Sequence, residues 1–135
     1  LKKIIYKPIG VIHSPYKDKK ETPRQTIYSD GIKASVEIFP EFSKGLLGIE
    51  RFSHIILLCH FNQSNVEALT VIPPGEKEIR GVFASRSPKR PNPIGLSVVQ
   101  LISVRGRILY IKNVDILDGT PILDIKPYIP EIDSK

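Results

Sequence analysis

The sequence predicts a mainly β fold: six or seven antiparallel strands forming a small barrel or a sandwich, with one or two short helices. Two observations predict it. Apolar residues recur at a period of two, as in "GIKASVEIF", where Ile32, Ala34, Val36 and Ile38 share one face. Proline, glycine and polar clusters interrupt these runs, and strands do not alternate with helical segments, which argues against a doubly wound α/β sheet.

Taken in order, Ile9, Val11 and His13 alternate with small or polar neighbours and read as a strand ended by Ser14-Pro15. "YKDKKETPRQT" is a polar loop, and Pro40 closes the strand of "GIKASVEIF". "EFSKGLLG" is the best candidate for a short helix, with Gly48 as its stop. "HIILLCHF" reads as a strand buried on both faces. "NQSNVEALTVIPPGEKE" is a loop with one helical turn at most, after which Ile79 to Ala84 resumes a strand. "LSVVQLISVRGRILYIKNV" carries two β-branched runs around Arg105-Gly106-Arg107, a hairpin signature. In "ILDGTPILDIKPYIPEID", Asp-Gly marks a turn, Ile122 to Ile125 a short strand, and Pro127 and Pro130 terminate it.

The 135 residues fit one domain, residues 1–135, able to bury roughly two thirds of its unfolded surface. The longest apolar run, "IILLC", falls far short of the ~18 residues a membrane span needs. Lys7 and Pro8 interrupt any signal-peptide core, so a cytoplasmic protein is expected. A single cysteine excludes an internal disulfide framework, and Cys59, inside an apolar run, reads as a small buried hydrophobe. The net charge of +6 is unevenly spread: residues 79–114 contain no acid. Such a block suits a polyanion such as RNA, or a solvated basic face; composition leaves both open.

Three stiffened polar clusters stand out: "TPRQ" at 22–25, "SRSPKRPNPIG" at 85–95 and "LDGTPILDIKPY" at 117–128. They suggest loops gathered at one end of a barrel, where a rigid scaffold displays functional residues. The second packs Pro88, Pro91 and Pro93 among Arg86, Lys89 and Arg90, a loop both rigid and cationic. His13, His54 and His60 have no zinc-ligand spacing, and no metal site is expected. Neither nucleotide-cradling glycine motif nor a nucleophile elbow is present.

"PIGVIHSPY", "PRQ", "RFSHIILLCHF", "GVFASRSPKRPNPIGLS" and "LDGTPILDIKPYIP", in this order, resemble the TrmO-like family, also called YaeB- or VirR-like, in its short, archaeal-type form. The resemblance implies a single-sheeted β-barrel and an S-adenosylmethionine-dependent tRNA methyltransferase acting on N6 of threonylcarbamoyladenosine, next to the anticodon. It also implies a homodimer with the cofactor near the interface. By resemblance, Pro23, Arg24, Gln25, His60, Phe61, Arg86, Leu96, Asp118, Gly119, Thr120 and Pro121 contact the cofactor. Chemically, Arg24 or Arg86 suits its carboxylate, Asp118 its ribose or ammonium, and Phe61 with Leu96 its apolar walls. Either His60 takes the N6 proton or no single base is needed. Lys89, Arg90, Arg105 and Arg107 are the expected phosphate contacts. The alternative is a non-catalytic RNA-binding β-barrel, against which the acids of "DGTP…DIKPY" beside a cationic loop argue. A hydrolase using Asp118 and Asp124 stands further back, for want of a nucleophile motif or metal ligands.

Overall fold

The period-two segments pair into one closed antiparallel barrel in the computed structural model, which describes residues 2–17, 31–61 and 67–134. The strands are β1 (Gly10–His13), β2 (Lys33–Ile38), β3 (His54–His60), β4 (Thr70–Val71), β5 (Arg80–Gly81), β6 (Ile94–Arg105), β7 (Ile108–Lys112) and β8 (Pro121–Pro127). Around the barrel the order is β1-β2-β7-β6-β3-β8, while β4 and β5 form a separate two-stranded ribbon. Closure rests on β6, whose twelve residues pair with β3 from His60↔Ile94 and with β7 down to Arg105↔Ile108. Ile102 is bulged out of the β6–β7 register, and a second irregularity lies between Leu58 and Cys59 against β8. Bulges add twist and let a six-stranded sheet curl onto itself.

The interior is filled by alternate, mostly β-branched residues: Ile12, Val36, Ile38, Ile55, Leu57, Val99, Leu109, Ile111 and Ile122 are all buried. A single interior explains a correction to the reading of "HIILLCHF". Ile55, Leu57 and Cys59 face the core, but His54, Ile56, Leu58 and His60 are only half-buried. A one-sheet barrel has no second layer to cover its outer face.

Other boundaries shift for local reasons. The segment expected as a strand from Ile79 to Ala84 pairs only at Arg80 and Gly81, and Val82–Ala84 forms a 3-10 turn. The helix expected at "EFSKGLLG" is a 3-10 segment, Pro40–Leu46, followed by another at Ile49–Arg51. The expected loop before Ile79 contains β4, and its residues 62–66 lie outside the described residues. Pro130 does not terminate but opens the four-residue helix α1 (Pro130–Asp133), where a missing N–H costs nothing. The hairpin stands as expected, with Gly106-Arg107 as its two-residue turn.

Strand direction sorts the connections. β1, β3 and β7 end, and β2, β6 and β8 begin, at one end of the barrel, called here the loop end. The β1–β2, β3–β6 and β7–β8 connections all leave from it. The β6–β7 hairpin and the 3-10 segments of residues 40–51 close the opposite, hairpin end. Of the three polar clusters, residues 85–95 and the 117–120 turn belong to connections at this end. The rest of the third runs down β8 to the hairpin end, and residues 22–25 lie outside the described residues.

Candidate functional site

Asn113 creates the inner wall of the loop end. It adopts a left-handed conformation (φ 68°) as the chain leaves β7, one of the few non-glycine residues that tolerates it. Its Oδ1 accepts from the Gly31 N–H at 2.9 Å, and its own N–H donates to the Ile32 carbonyl at 2.8 Å. The chain then crosses the barrel mouth with Val114 and Ile116 buried in the core and Asp115 between them. The Ser97 hydroxyl, itself buried, donates to Asp115 Oδ1 at 2.6 Å. Burial pushes the Asp115 carboxyl above the usual carboxylate range, while the Ser97 hydrogen bond and the Arg86 charge pull it back. Burial, and then the charge of Asp115, push the Cys59 thiol up to about 11 and raise the Tyr16 hydroxyl. Cys59 is thus a protonated core residue at neutral pH.

The cationic loop is held by its own serines. The Ser85 hydroxyl donates to the Val82 carbonyl at 3.0 Å, and it accepts from the Ser87 N–H at 3.3 Å. Arg90 Nη1 donates to the carbonyls of Ser85 and Ser87 at 3.0 and 3.1 Å, so this guanidinium staples the loop from within. Arg86 and Lys89 are exposed. The loop rejoins the barrel where Phe61 N–H donates to the Pro93 carbonyl at 2.8 Å. Here Gly95 is required by space: a Cβ would stand 2.3 Å from Phe61 Cζ and 2.9 Å from Cys59 Sγ. Phe61 lies across the start of β6 because that position carries no side chain.

The "DGTP" segment is a tight turn, with Thr120 N–H donating to the Leu117 carbonyl at 3.3 Å and Gly119 at φ 82°. A positive φ at the third position is the type II arrangement, which selects glycine. Asp118 Oδ1 accepts from the Ser14 N–H at 3.0 Å and Oδ2 from Lys17 Nζ at 2.9 Å. Lys17, then the Ser14 amide, hold its carboxyl below the usual range. The Ser14 hydroxyl donates to the Ile116 carbonyl at 2.6 Å, completing a stitch between the end of β1 and the β7–β8 turn. Asp118 is therefore engaged within the protein.

Strand register places the other expected residues. His60 pairs with Ile94 and Leu58 with Leu96 across β3 and β6, while Pro121 at the start of β8 pairs with Val11 of β1. His60 and Leu96 point outward, whereas Asp115 and Ser97 line the mouth; the site straddles the barrel rim. Pro23, Arg24 and Gln25 lie outside the described residues. Arg105 and Arg107 sit at the hairpin end, about 30 Å along β6 from Gly95 at ~3.3 Å per residue. Arg107 Nη1 donates to the Ile38 carbonyl at 2.7 Å and so braces the hairpin against β2. His13 lies 3.1 Å from Glu37, and His54 Nδ1 2.9 Å from the Ser53 hydroxyl. Among the described residues, no group of three His, Cys, Asp or Glu side chains could hold a metal ion.

A groove of about 610 Å³ opens at the hairpin end, lined by Ile9, Phe42, Leu46, Ile49, Phe52 and Ile125 among others. Among the described residues, none of those expected to contact cofactor or RNA lines it, although Asp124 does. Several of its walls pack on the core and cap the barrel from below, a structural reason for its apolar character.

Sequence reasoning missed Asp115 and Ser97. The available signal was an acid flanked by Val114 and Ile116, followed by a turn motif with its own aspartate.

Residues 11–134 match the family described as the tRNA-methyltransferase O N-terminal domain. The chain is 57% identical over 132 residues to a probable S-adenosyl-L-methionine-binding protein of Pyrococcus abyssi, covering 98% of this chain and 72% of that one. It is 39% identical to the tRNA (adenine(37)-N6)-methyltransferase of Mus musculus, covering 97% of this chain and 32% of the mouse protein. Among solved structures, TrmO from Pseudomonas aeruginosa superposes with a TM-score of 0.84 at 38% identity, over 99% of this chain and 60% of that one. The chain thus spans about three fifths of the solved protein and a third of the mouse enzyme. Sequence and fold agree over nearly its whole length, and the chain belongs to the TrmO family.

Proposed function

We propose that this chain is an S-adenosylmethionine-dependent tRNA methyltransferase that methylates N6 of threonylcarbamoyladenosine beside the anticodon. The observation that carries the reading is that the loop end holds a partly buried carboxylate, Asp115, fixed by the buried Ser97 hydroxyl, and an exposed guanidinium, Arg86, whose charge acts on it. A cofactor with a cationic sulfonium, an ammonium and a carboxylate fits such a pair. The names of the relatives support it: close archaeal ones are described as binding the cofactor, mammalian ones as modifying adenine 37 of tRNA.

When bound, S-adenosylmethionine supplies a methyl group activated by its sulfonium. The residues of the chain hold and orient the reactants. Arg86 would pair with the cofactor carboxylate, Asp115 would offset its positive charge, and Phe61 with Leu96 would provide apolar contact. Arg24, with Pro23 and Gln25, and the turn residues Asp118, Gly119, Thr120 and Pro121 complete the wall by resemblance. In this reading either His60, outward at the rim, accepts the proton that N6 loses, or no single base is needed. Positioning provides most of the rate, because transfer needs nitrogen, methyl carbon and sulfur in line. Lys89 and Arg90 at the loop end, and Arg105 and Arg107 at the hairpin end, bind phosphates of an RNA running along the barrel.

The active species in this reading is a cytoplasmic homodimer. The outer face of β3 and β6 carries Ile56, Leu58, Ile94, Leu96 and Val98, with Ile94 and Leu96 over 40% exposed. A second copy covering this face would stand next to His60 and Leu96. No described helix is long and apolar enough to cross a membrane.

The test is mass spectrometry of nucleosides from tRNA incubated with the protein and S-adenosylmethionine. One added methyl on threonylcarbamoyladenosine is expected. A methyl on another nucleoside overturns the substrate, and RNA binding without any methyl transfer favours the non-catalytic RNA-binding barrel.

A further inference from the structure

The 3-10 turn at Val82–Ala84 places an aromatic ring in solvent on a backbone that is held in place. Val82 is buried, whereas Phe83 is 81% exposed. The protein's other four phenylalanines, Phe39, Phe42, Phe52 and Phe61, are all at least half-covered. The turn that presents Phe83 is not loose. Val82 N–H donates to the Leu69 carbonyl at 2.9 Å, Ser85 N–H to the Val82 carbonyl at 3.1 Å, and Arg80 Nη1 to the Ala84 carbonyl at 2.8 Å. Three residues on stands Arg86, and six residues on Lys89, both exposed, in a stretch without acids.

An exposed ring on a pinned turn, a few residues from exposed cations, is the combination that holds an unstacked nucleobase and its phosphate. A slot for a small ligand is concave and covers most of it, whereas Phe83 is largely open and does not line the groove at the hairpin end. We propose that Phe83 is a stacking platform for a base of the RNA substrate, splayed from a single-stranded loop. This deepens the function proposed above and rests on it. Stacking contributes affinity without reading sequence, and it holds the RNA loop against the site at the barrel rim.

The test compares Phe83→Ala, Phe83→Leu and Phe83→Trp in tRNA binding and in methylation kinetics. Thermal unfolding and titration with S-adenosylmethionine serve as controls. Loss of one base stack should weaken tRNA binding about 5- to 150-fold in the Ala and Leu variants. Trp should retain it. The slope of log affinity against log salt should stay unchanged, because no phosphate contact is lost. The proposal is overturned if Leu binds as well as Phe, if the Ala variant binds tRNA normally, or if the loss lies in cofactor affinity or oligomeric state instead. A wild-type protein that methylates tRNA while Phe83→Ala does so with an unchanged KM removes this inference and leaves the function standing. A wild-type protein that binds no tRNA overturns both.

Discussion

Asp115 and Asp118 lie three residues apart, yet their environments push their carboxyls in opposite directions. Asp115 is raised by burial, so folding with its charge in place is penalised; the penalty is absent below the ordinary carboxylate pKa and complete above its raised value. Asp115→Asn keeps the shape and should therefore unfold at the same or a higher temperature near pH 7, with the advantage vanishing in acid, while cofactor affinity falls. Loss of stability at pH 7 with normal affinity would make Asp115 a structural residue. Asp118 is lowered by Lys17 and the Ser14 amide, so its stabilisation is present above the ordinary pKa and disappears as pH falls through the lowered one. Asp118→Ala should cost about 1–2 kcal/mol near neutrality from the lost amide partner and ion pair. Its unfolding curve should converge with that of the parent in strong acid. Asp118 was legible because "DGT" is a turn signal. Asp115 was not, because an acid between two aliphatics reads as an outward strand residue, and only the left-handed turn at Asn113 directs it to Ser97.

At the scale of elements, what the sequence shows best is whatever pairs locally. The β6–β7 hairpin and the alternation of β2 follow from period-two patterns and a glycine turn. The β1–β8 pairing that closes the barrel joins residues more than a hundred positions apart, and no local pattern encodes it. β4 and β5, at two residues each, are too short to leave a period. Gly95 shows how an element positions the site. Gly95→Ala would force its methyl into Phe61 and Cys59, costing about 1–3 kcal/mol by overpacking. Cofactor affinity should fall together with thermal stability, since Phe61 is displaced from the rim. An unfolding temperature equal to the parent's would show that Phe61 moves aside freely.

Across the whole molecule, the acid-free block reads as one cationic surface in sequence but divides between two ends in space. Lys89 and Arg90 stand at the loop end; Arg105 and Arg107 lie at the hairpin end. Arg90 and Arg107 also hold backbone carbonyls, so Lys89 and Arg105 are the cleaner probes. If both contact phosphates, Lys89→Ser and Arg105→Ser should each flatten the salt dependence of tRNA binding by about 0.7–0.9 unit and leave cofactor affinity unchanged. An unchanged slope for Arg105→Ser would confine the RNA to the loop end.

The central claim is that the loop end of the barrel, and not the apolar groove at the hairpin end, holds the cofactor. Amide hydrogen exchange with and without saturating S-adenosylmethionine tests it most directly, since each amide reports its own position. Slower exchange is predicted in peptides covering residues 59–61, 85–97 and 113–121, with none across 40–52 or the 105–108 hairpin. Protection confined to residues 40–52, or none anywhere at saturation, would contradict it.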